Sequence, residues 1–258
     1  MEPILGCFNR PWGPWPLERA LAGIAQAGFT GVGLLRQQGE LVVSADSLPQ
    51  EVGQVAGTIL SYGLTPVTFL SRTGAQQPLT EALAHLRREI DNVCRLGAGY
   101  LLHCGVAQED LYDQFYEVMR QGAAYAQARG VQIVLKPHGG VSATAADCVR
   151  AVEAVNSPAF RIWYDPGNVL FYTGADPAED VAAVAPYVTG VCVKDCQGGT
   201  VQVTPGEGEV NFARLFDTLL EAGFSGPCLV ECLVGETPEE VDAAAAVVHE
   251  RLRKWLRL

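Results

Sequence analysis

Short apolar runs and longer amphipathic stretches alternate from one end of the chain to the other. Ile4 to Phe8 reads as a strand, and Leu17 to Gly28 carries apolar residues at helical spacing before stopping at a glycine. The same pairing recurs, with strands expected over Gly31 to Leu35, Thr65 to Leu70, Tyr100 to Gly105, Val131 to Pro137, Phe160 to Pro166, Gly190 to Asp195 and Pro227 to Cys232. Helices are expected between them at Ser47 to Tyr62, Glu81 to Leu96, Glu109 to Arg129, Ala145 to Val155, Glu179 to Val188 and Phe212 to Gly223, with a last one from Pro238 to the C-terminus. Strict alternation requires parallel strands joined by crossover helices, and near-continuously apolar strands are those covered on both faces. Eight such units in 258 residues, with no Pro/Gly-rich linker between them, predict an α/β protein made of a single (β/α)8 TIM barrel over residues 1–258. The rival is a doubly wound open sheet, which would carry a glycine-rich phosphate turn after its first strand. The segment CFNRPWGPWP is no GxGxxG.

Charge narrows the function. Eighteen Lys and Arg stand against 29 Asp and Glu, a net −11, which argues against a nucleic-acid surface because phosphates need clustered cations. No apolar run reaches the roughly 20 residues of a membrane span. The start MEPILGCFNRPWG lacks the basic residues and cleavage site of a secretory signal, so the expectation is a cytoplasmic protein. Its eight cysteines contain no CxxC pair and read as reduced thiols.

In a barrel the chemistry sits where strands end, so polar residues can be read strand by strand. Cys7 and Asn9 follow the first strand, Arg36 the second, and Ser71 with Arg72 the third. His103 and Cys104 close the fourth, Lys136 and His138 the fifth, and Asp165 with Asn168 the sixth. Cys192, Lys194 and Asp195 belong to the seventh and Glu231 to the eighth. Ionisable groups in apolar strands cost several kcal/mol unless paired, so their concentration at one end of successive strands is a functional signal.

These residues carry a resemblance. AQAGFTGVGLL near the start, IVLKPHGG, IWYDPGN, VCVKD, the PGEGEVNF turn and GPCLVE, in this order, resemble the sugar phosphate isomerase/epimerase family of xylose isomerase-like barrels. The family typically holds one divalent metal on Glu, Asp, His and Glu of its fifth to eighth strands. Carried over, Asp165 and Glu231 match, whereas Lys136 stands at the first ligand position and Cys192 at the third. The resemblance therefore implies an altered metal site, with no cofactor favoured. A retained Mn, Mg or Zn ion on Asp165 and Glu231 is the alternative. Lys136 is expected to supply positive charge between the two acids rather than a Schiff-base amine, since neighbouring carboxylates favour its protonated form.

The expected activity is isomerisation or epimerisation of a sugar, or of a sugar-like polyhydroxy carbonyl compound, by proton transfer next to the carbonyl. Glu231 would move the proton, Lys136 with Lys194 would stabilise developing charge, and Asp165 and His138 would orient hydroxyls. His103, Asn168, Lys194 and Cys192 complete the expected substrate contacts. A barrel that binds a ligand or a protein partner without turnover, and a metal-dependent lyase or dehydratase of the same superfamily, are the alternatives. DNA repair is set aside, because abasic-site endonucleases of this fold assemble three zinc ions on several histidines, and this chain has four in all. Barrels of this family often dimerise, so a homodimer is an expected partner state.

Overall fold

A computed structural model describes residues 2–258. Eight parallel strands close on themselves: β1 (Leu5–Phe8), β2 (Gly31–Leu34), β5 (Thr65–Leu70), β6 (Tyr100–His103), β7 (Gln132–Leu135), β8 (Phe160–Tyr164), β9 (Val188–Val193) and β10 (Cys228–Val230). β1 pairs with β2 on one side and β10 on the other, which seals the barrel and removes every sheet edge. A two-stranded ribbon, β3 (Arg36–Gln37) with β4 (Glu40–Leu41), stands outside it.

Helices α1 (Leu17–Gln26), α2 (Pro49–Ser61), α3 (Leu79–Leu96), α4 (Tyr112–Gln127), α5 (Ala145–Val155), α8 (Phe212–Glu221) and α9 (Pro238–Trp255) lie at the expected places, with ends shifted by a few residues. The crossover after β8 departs from the expected pattern. Instead of one helix over Glu179 to Val188 it holds α6 (Pro166–Thr173) and α7 (Pro177–Val184), and a 3-10 turn (Ala185–Tyr187). Asp165 starts α6 as its N-cap, with Oδ1 accepting the Asn168 N–H at 3.0 Å, and Pro166 suits the first helical position. A 3-10 turn, Glu109–Leu111, likewise precedes α4, and another, Arg10–Trp12, follows β1.

The core has two parts. Between strands and helices runs a large layer that includes Leu21, Ile24, Leu86, Ile90, Phe115, Phe160 and Phe216. Inside the barrel, Phe8, Leu35, Val67, Leu102, Val134, Trp163, Cys192 and Leu229 form a separate plug beneath the mouth. Alternate residues of each strand serve the two parts, so that Trp163 faces in while Ile162 and Tyr164 face the helices. Room for the aromatic rings comes from glycines. A Cβ on Gly190 would fall 2.4 Å from the Trp163 ring, and one on Gly33 would fall 2.4 Å from Phe8.

Gly190→Ala is therefore expected to overpack the plug and cost about 1–3 kcal/mol, read as a lower urea midpoint at unchanged slope. An unaltered midpoint would mean that Trp163 does not fill the gap at Gly190.

Candidate active site

The C-terminal ends of β7, β8, β9 and β10 bring four charged side chains to one point. Lys136, Asp165, Lys194 and Glu231 each sit one residue beyond their strand, and none is more than 4% exposed. The Lys136 ammonium lies 2.7 Å from Glu231 Oε2 and 3.2 Å from Asp165 Oδ2. The Lys194 ammonium mirrors it, 2.7 Å from Glu231 Oε1 and 3.2 Å from Asp165 Oδ2. Asp165 Oδ2 meets both nitrogens as an ion pair without good hydrogen-bond alignment to either.

A third cation completes the cluster. Arg10, in the turn after β1, donates from Nη1 to Glu231 Oε1 at 2.8 Å. Three cations thus surround two carboxylates and leave one positive charge in excess. Burial alone would neutralise Glu231, but Lys136 and Lys194 overcome it and hold the carboxyl well below its usual range. Burial likewise opposes charge on Lys136, yet Glu231 foremost outweighs it and keeps the ammonium well above its usual range. Both lysines are cations at neutral pH.

The other expected site residues divide by what they touch. His138 lines the mouth cavity together with Arg10, Arg36, Cys104, Lys136 and Glu231. Its Nδ1 is 3.3 Å from the Tyr172 hydroxyl, and the rings lie 5.3 Å apart. Burial, then Lys136 and Lys194, push its pKa down, so the imidazole is neutral at pH 7. Asn168 does not face the cavity: its Nδ2 donates to the Pro137 carbonyl at 2.7 Å and its Oδ1 accepts from Lys194 at 3.3 Å. It positions Lys194. His103, expected to contact substrate, has both ring nitrogens committed, Nε2 to the Thr73 carbonyl at 2.9 Å and Nδ1 to the Gly105 N–H at 2.8 Å. Burial pushes its pKa down to about 4, consistent with a neutral ring. Cys192 belongs to the interior plug, and its Sγ lies 3.3 Å from Glu231 Oε2. Burial raises its pKa well above the usual thiol value, so it is a protonated thiol beneath the cluster rather than a nucleophile at the cavity wall.

Two residues escaped the reading of the sequence. Arg10 could have been found as a charge two residues past the first strand. Tyr172 lies on α6, the helix that was not expected. Asp195, next to Lys194, accepts four backbone N–H bonds from Cys196, Gly206, Gly208 and Val210 at 2.8–3.0 Å and so fastens the loop after β9.

Ligand atoms of Asp165, Cys192 and Glu231 come within 4.8 Å of one another, a spacing that a metal ion could use. The two ammonium nitrogens stand against the same carboxylate oxygens. At roughly 4 Å and an effective dielectric near 20, unit charges oppose each other by about 4 kcal/mol, and a divalent ion would face about twice that from each lysine. An ammonium also offers no lone pair. Lys136 and Lys194 thus compete with a divalent ion for these two carboxylates.

Comparison with known proteins places the chain. The family model described as "Xylose isomerase-like TIM barrel" matches residues 21–257. The L-ribulose-5-phosphate 3-epimerase UlaE of Shigella boydii is 36% identical over 104 residues, which are 40% of this chain and 34% of that protein. The match thus spans about a third of that relative's length. A D-psicose 3-epimerase structure with D-tagatose from Clostridium cellulolyticum H10 superposes with a TM-score of 0.81 at 14% identity, covering 98% of this chain and 99% of that one. A xylose isomerase-like TIM barrel protein from Mycobacterium smegmatis, in complex with magnesium, gives 0.75 at 18% identity over 93% and 89% of the two chains. At these identities the structural likeness speaks for the fold. The chain belongs to the xylose isomerase-like TIM barrel family.

Proposed function

We propose that this protein is a sugar isomerase or epimerase that moves a proton next to the carbonyl of a small polyhydroxylated compound without a metal ion. One observation carries the reading: two buried lysines and the partly exposed Arg10 gathered on two buried carboxylates, one positive charge in excess, at the floor of the mouth cavity. Epimerase names among the curated and structural relatives support the reaction class. Eight unpaired cysteines support a reducing, cytoplasmic setting, and no helix of the described residues is long and apolar enough to cross a membrane.

The chemistry needs a base and a place for negative charge. Removing a proton from the carbon beside a carbonyl sends the C–H electron pair toward the carbonyl oxygen and makes an enediolate. Lys136, Lys194 and Arg10 hold their charge before the reaction begins, so they stabilise that oxyanion with little reorganisation. Glu231, expected from the sequence to move the proton, is a poor base here, because its oxygens face three cations and its pKa is depressed. We assign it with Asp165 as the counter-ion that keeps the lysines in place. His138 takes the proton: it is neutral at pH 7, lines the same cavity as Lys136 and has one ring nitrogen not turned to Tyr172. Placing that proton on the former carbonyl carbon, while the hydroxyl proton of the deprotonated carbon passes to the former carbonyl oxygen, gives isomerisation; a different proton, supplied by solvent to the other face of the deprotonated carbon, gives epimerisation.

The test is deuterium incorporation from D2O at the carbon next to the carbonyl, followed by NMR over a panel of ketoses, phosphorylated and not, with chelator present. Wild-type protein should exchange the proton, and His138→Gln should slow it by about 10²–10⁴-fold. Undiminished exchange in that variant would remove His138 as the base. Exchange that stops with chelator and returns with Mn²⁺ would remove the metal-free reading.

The pH dependence follows from the depressed pKa of His138. Activity should be flat around pH 7 and decline as the pH falls through a value below the ordinary 6.5 of histidine, where the ring gains a proton. A profile that instead rises toward acid would contradict a neutral imidazole base.

A further inference from the structure

A second cavity adjoins the first. It holds about 260 Å³, against about 250 Å³ for the one over Lys136, and the two share Leu70 and Cys104 as walls. Neither alone reaches the 300 Å³ or so at which ligand pockets usually begin, but a trench made of both does. The second cavity lies between the loops that follow β5 and β6, and its lining is polar, with Ser71, Thr73, Gln76 and Gln108. Arg72 is the only lining residue there with a formal charge, since His103 is neutral.

The loop that presents Arg72 is built around a buried acid. Glu89 on α3 is wholly buried and accepts from the Ser71 hydroxyl at 2.5 Å, the Arg72 backbone N–H at 2.7 Å and the Thr73 hydroxyl at 2.8 Å. Three successive residues are thereby pinned by one carboxylate, which fixes where the Arg72 side chain departs. The guanidinium itself meets no acceptor among the described residues and is exposed to the cavity and solvent. Across the whole trench the acid in the lining is Glu231, already paired, whereas Arg10, Arg36, Arg72 and Lys136 are cations. A positive cleft in a chain of net charge −11 draws anions toward it.

We propose that the cavity at Arg72 is a subsite for an oxyanion, a phosphate or a carboxylate, borne by the substrate at the end away from its reacting carbonyl. The inference rests on the proton-transfer reading of the neighbouring cavity for its orientation, but the subsite can be tested alone. Arg72 acts on affinity and on the choice between charged and neutral sugars; it takes no part in the proton transfer.

Two measurements on the full-length protein test it. Calorimetric titration with inorganic phosphate and, separately, with acetate at low ionic strength should show saturable binding of at least one anion. That binding should be weakened tenfold or more in Arg72→Gln and largely kept in Arg72→Lys. Which of the two binds tells a phosphate from a carboxylate. In turnover, a ketopentose 5-phosphate or the matching sugar acid should be preferred over the neutral ketopentose. Arg72→Gln should erase that preference through KM with kcat little changed. Equal use of charged and neutral sugars, with Arg72→Gln indistinguishable from wild type in both assays, overturns the subsite while leaving the proton-transfer reading intact. Anion binding that depends on Arg72, together with no exchange on any sugar, supports the subsite and defeats that reading instead.

Discussion

The carboxylate of Glu231 is the hub of the molecule's chemistry. It is buried at the centre of the barrel mouth, where a bare charge would cost several kcal/mol, and it stays ionised because Arg10, Lys136 and Lys194 converge on it from three strand ends. Each of those cations depends on it in return. Asp165 ties the group to the scaffold, with one oxygen capping α6 and the other facing both lysines. Asn168, one turn into the same helix, steadies Lys194. The placement of five strand ends, those of β1, β7, β8, β9 and β10, is therefore fixed by side-chain electrostatics as well as by the sheet. The trench above inherits a defined positive charge.

That arrangement changes what acids and bases can do. Lys136 and Lys194 outweigh the burial of Glu231 and keep its carboxyl ionised, which makes it a weak proton acceptor. In the proposed mechanism the proton goes to His138, outside the cluster, whose ring is kept unprotonated by burial first and by Lys136 and Lys194 next.

Much of this could be read along the chain, and the reasons for the gaps are physical. The barrel followed from eight repeats of an apolar run and an amphipathic stretch, because both faces of a parallel strand are buried and the pattern is strong. Lys136, Asp165, Lys194 and Glu231 stood out as charges at the ends of such runs. Arg10 did not, because its turn is a short 3-10 segment without periodicity of its own. Helix α6 was hidden by its composition: PGNVLFYT opens with Pro-Gly, which reads as a loop, although Asp165 caps it and Pro166 fits its first turn. The exposed Tyr172 beside His138 was lost with it. The roles of Asn168 and His103 were not legible either. Whether an amide or an imidazole faces a ligand or a backbone carbonyl depends on loops that fold back from elsewhere, here the segments at Pro137 and Thr73.

The claim on which the mechanism turns is that ammonium nitrogens fill the space between the Asp165 and Glu231 carboxylates. Calorimetric titration of Mn²⁺ into metal-stripped protein addresses it most directly, with wild type and Lys136→Glu compared side by side. Wild type should show no saturable uptake, whereas the variant, which removes one cation and adds a third carboxylate, should bind about one ion per chain. Tight, stoichiometric binding by the wild-type protein, reversed by chelator, would contradict it.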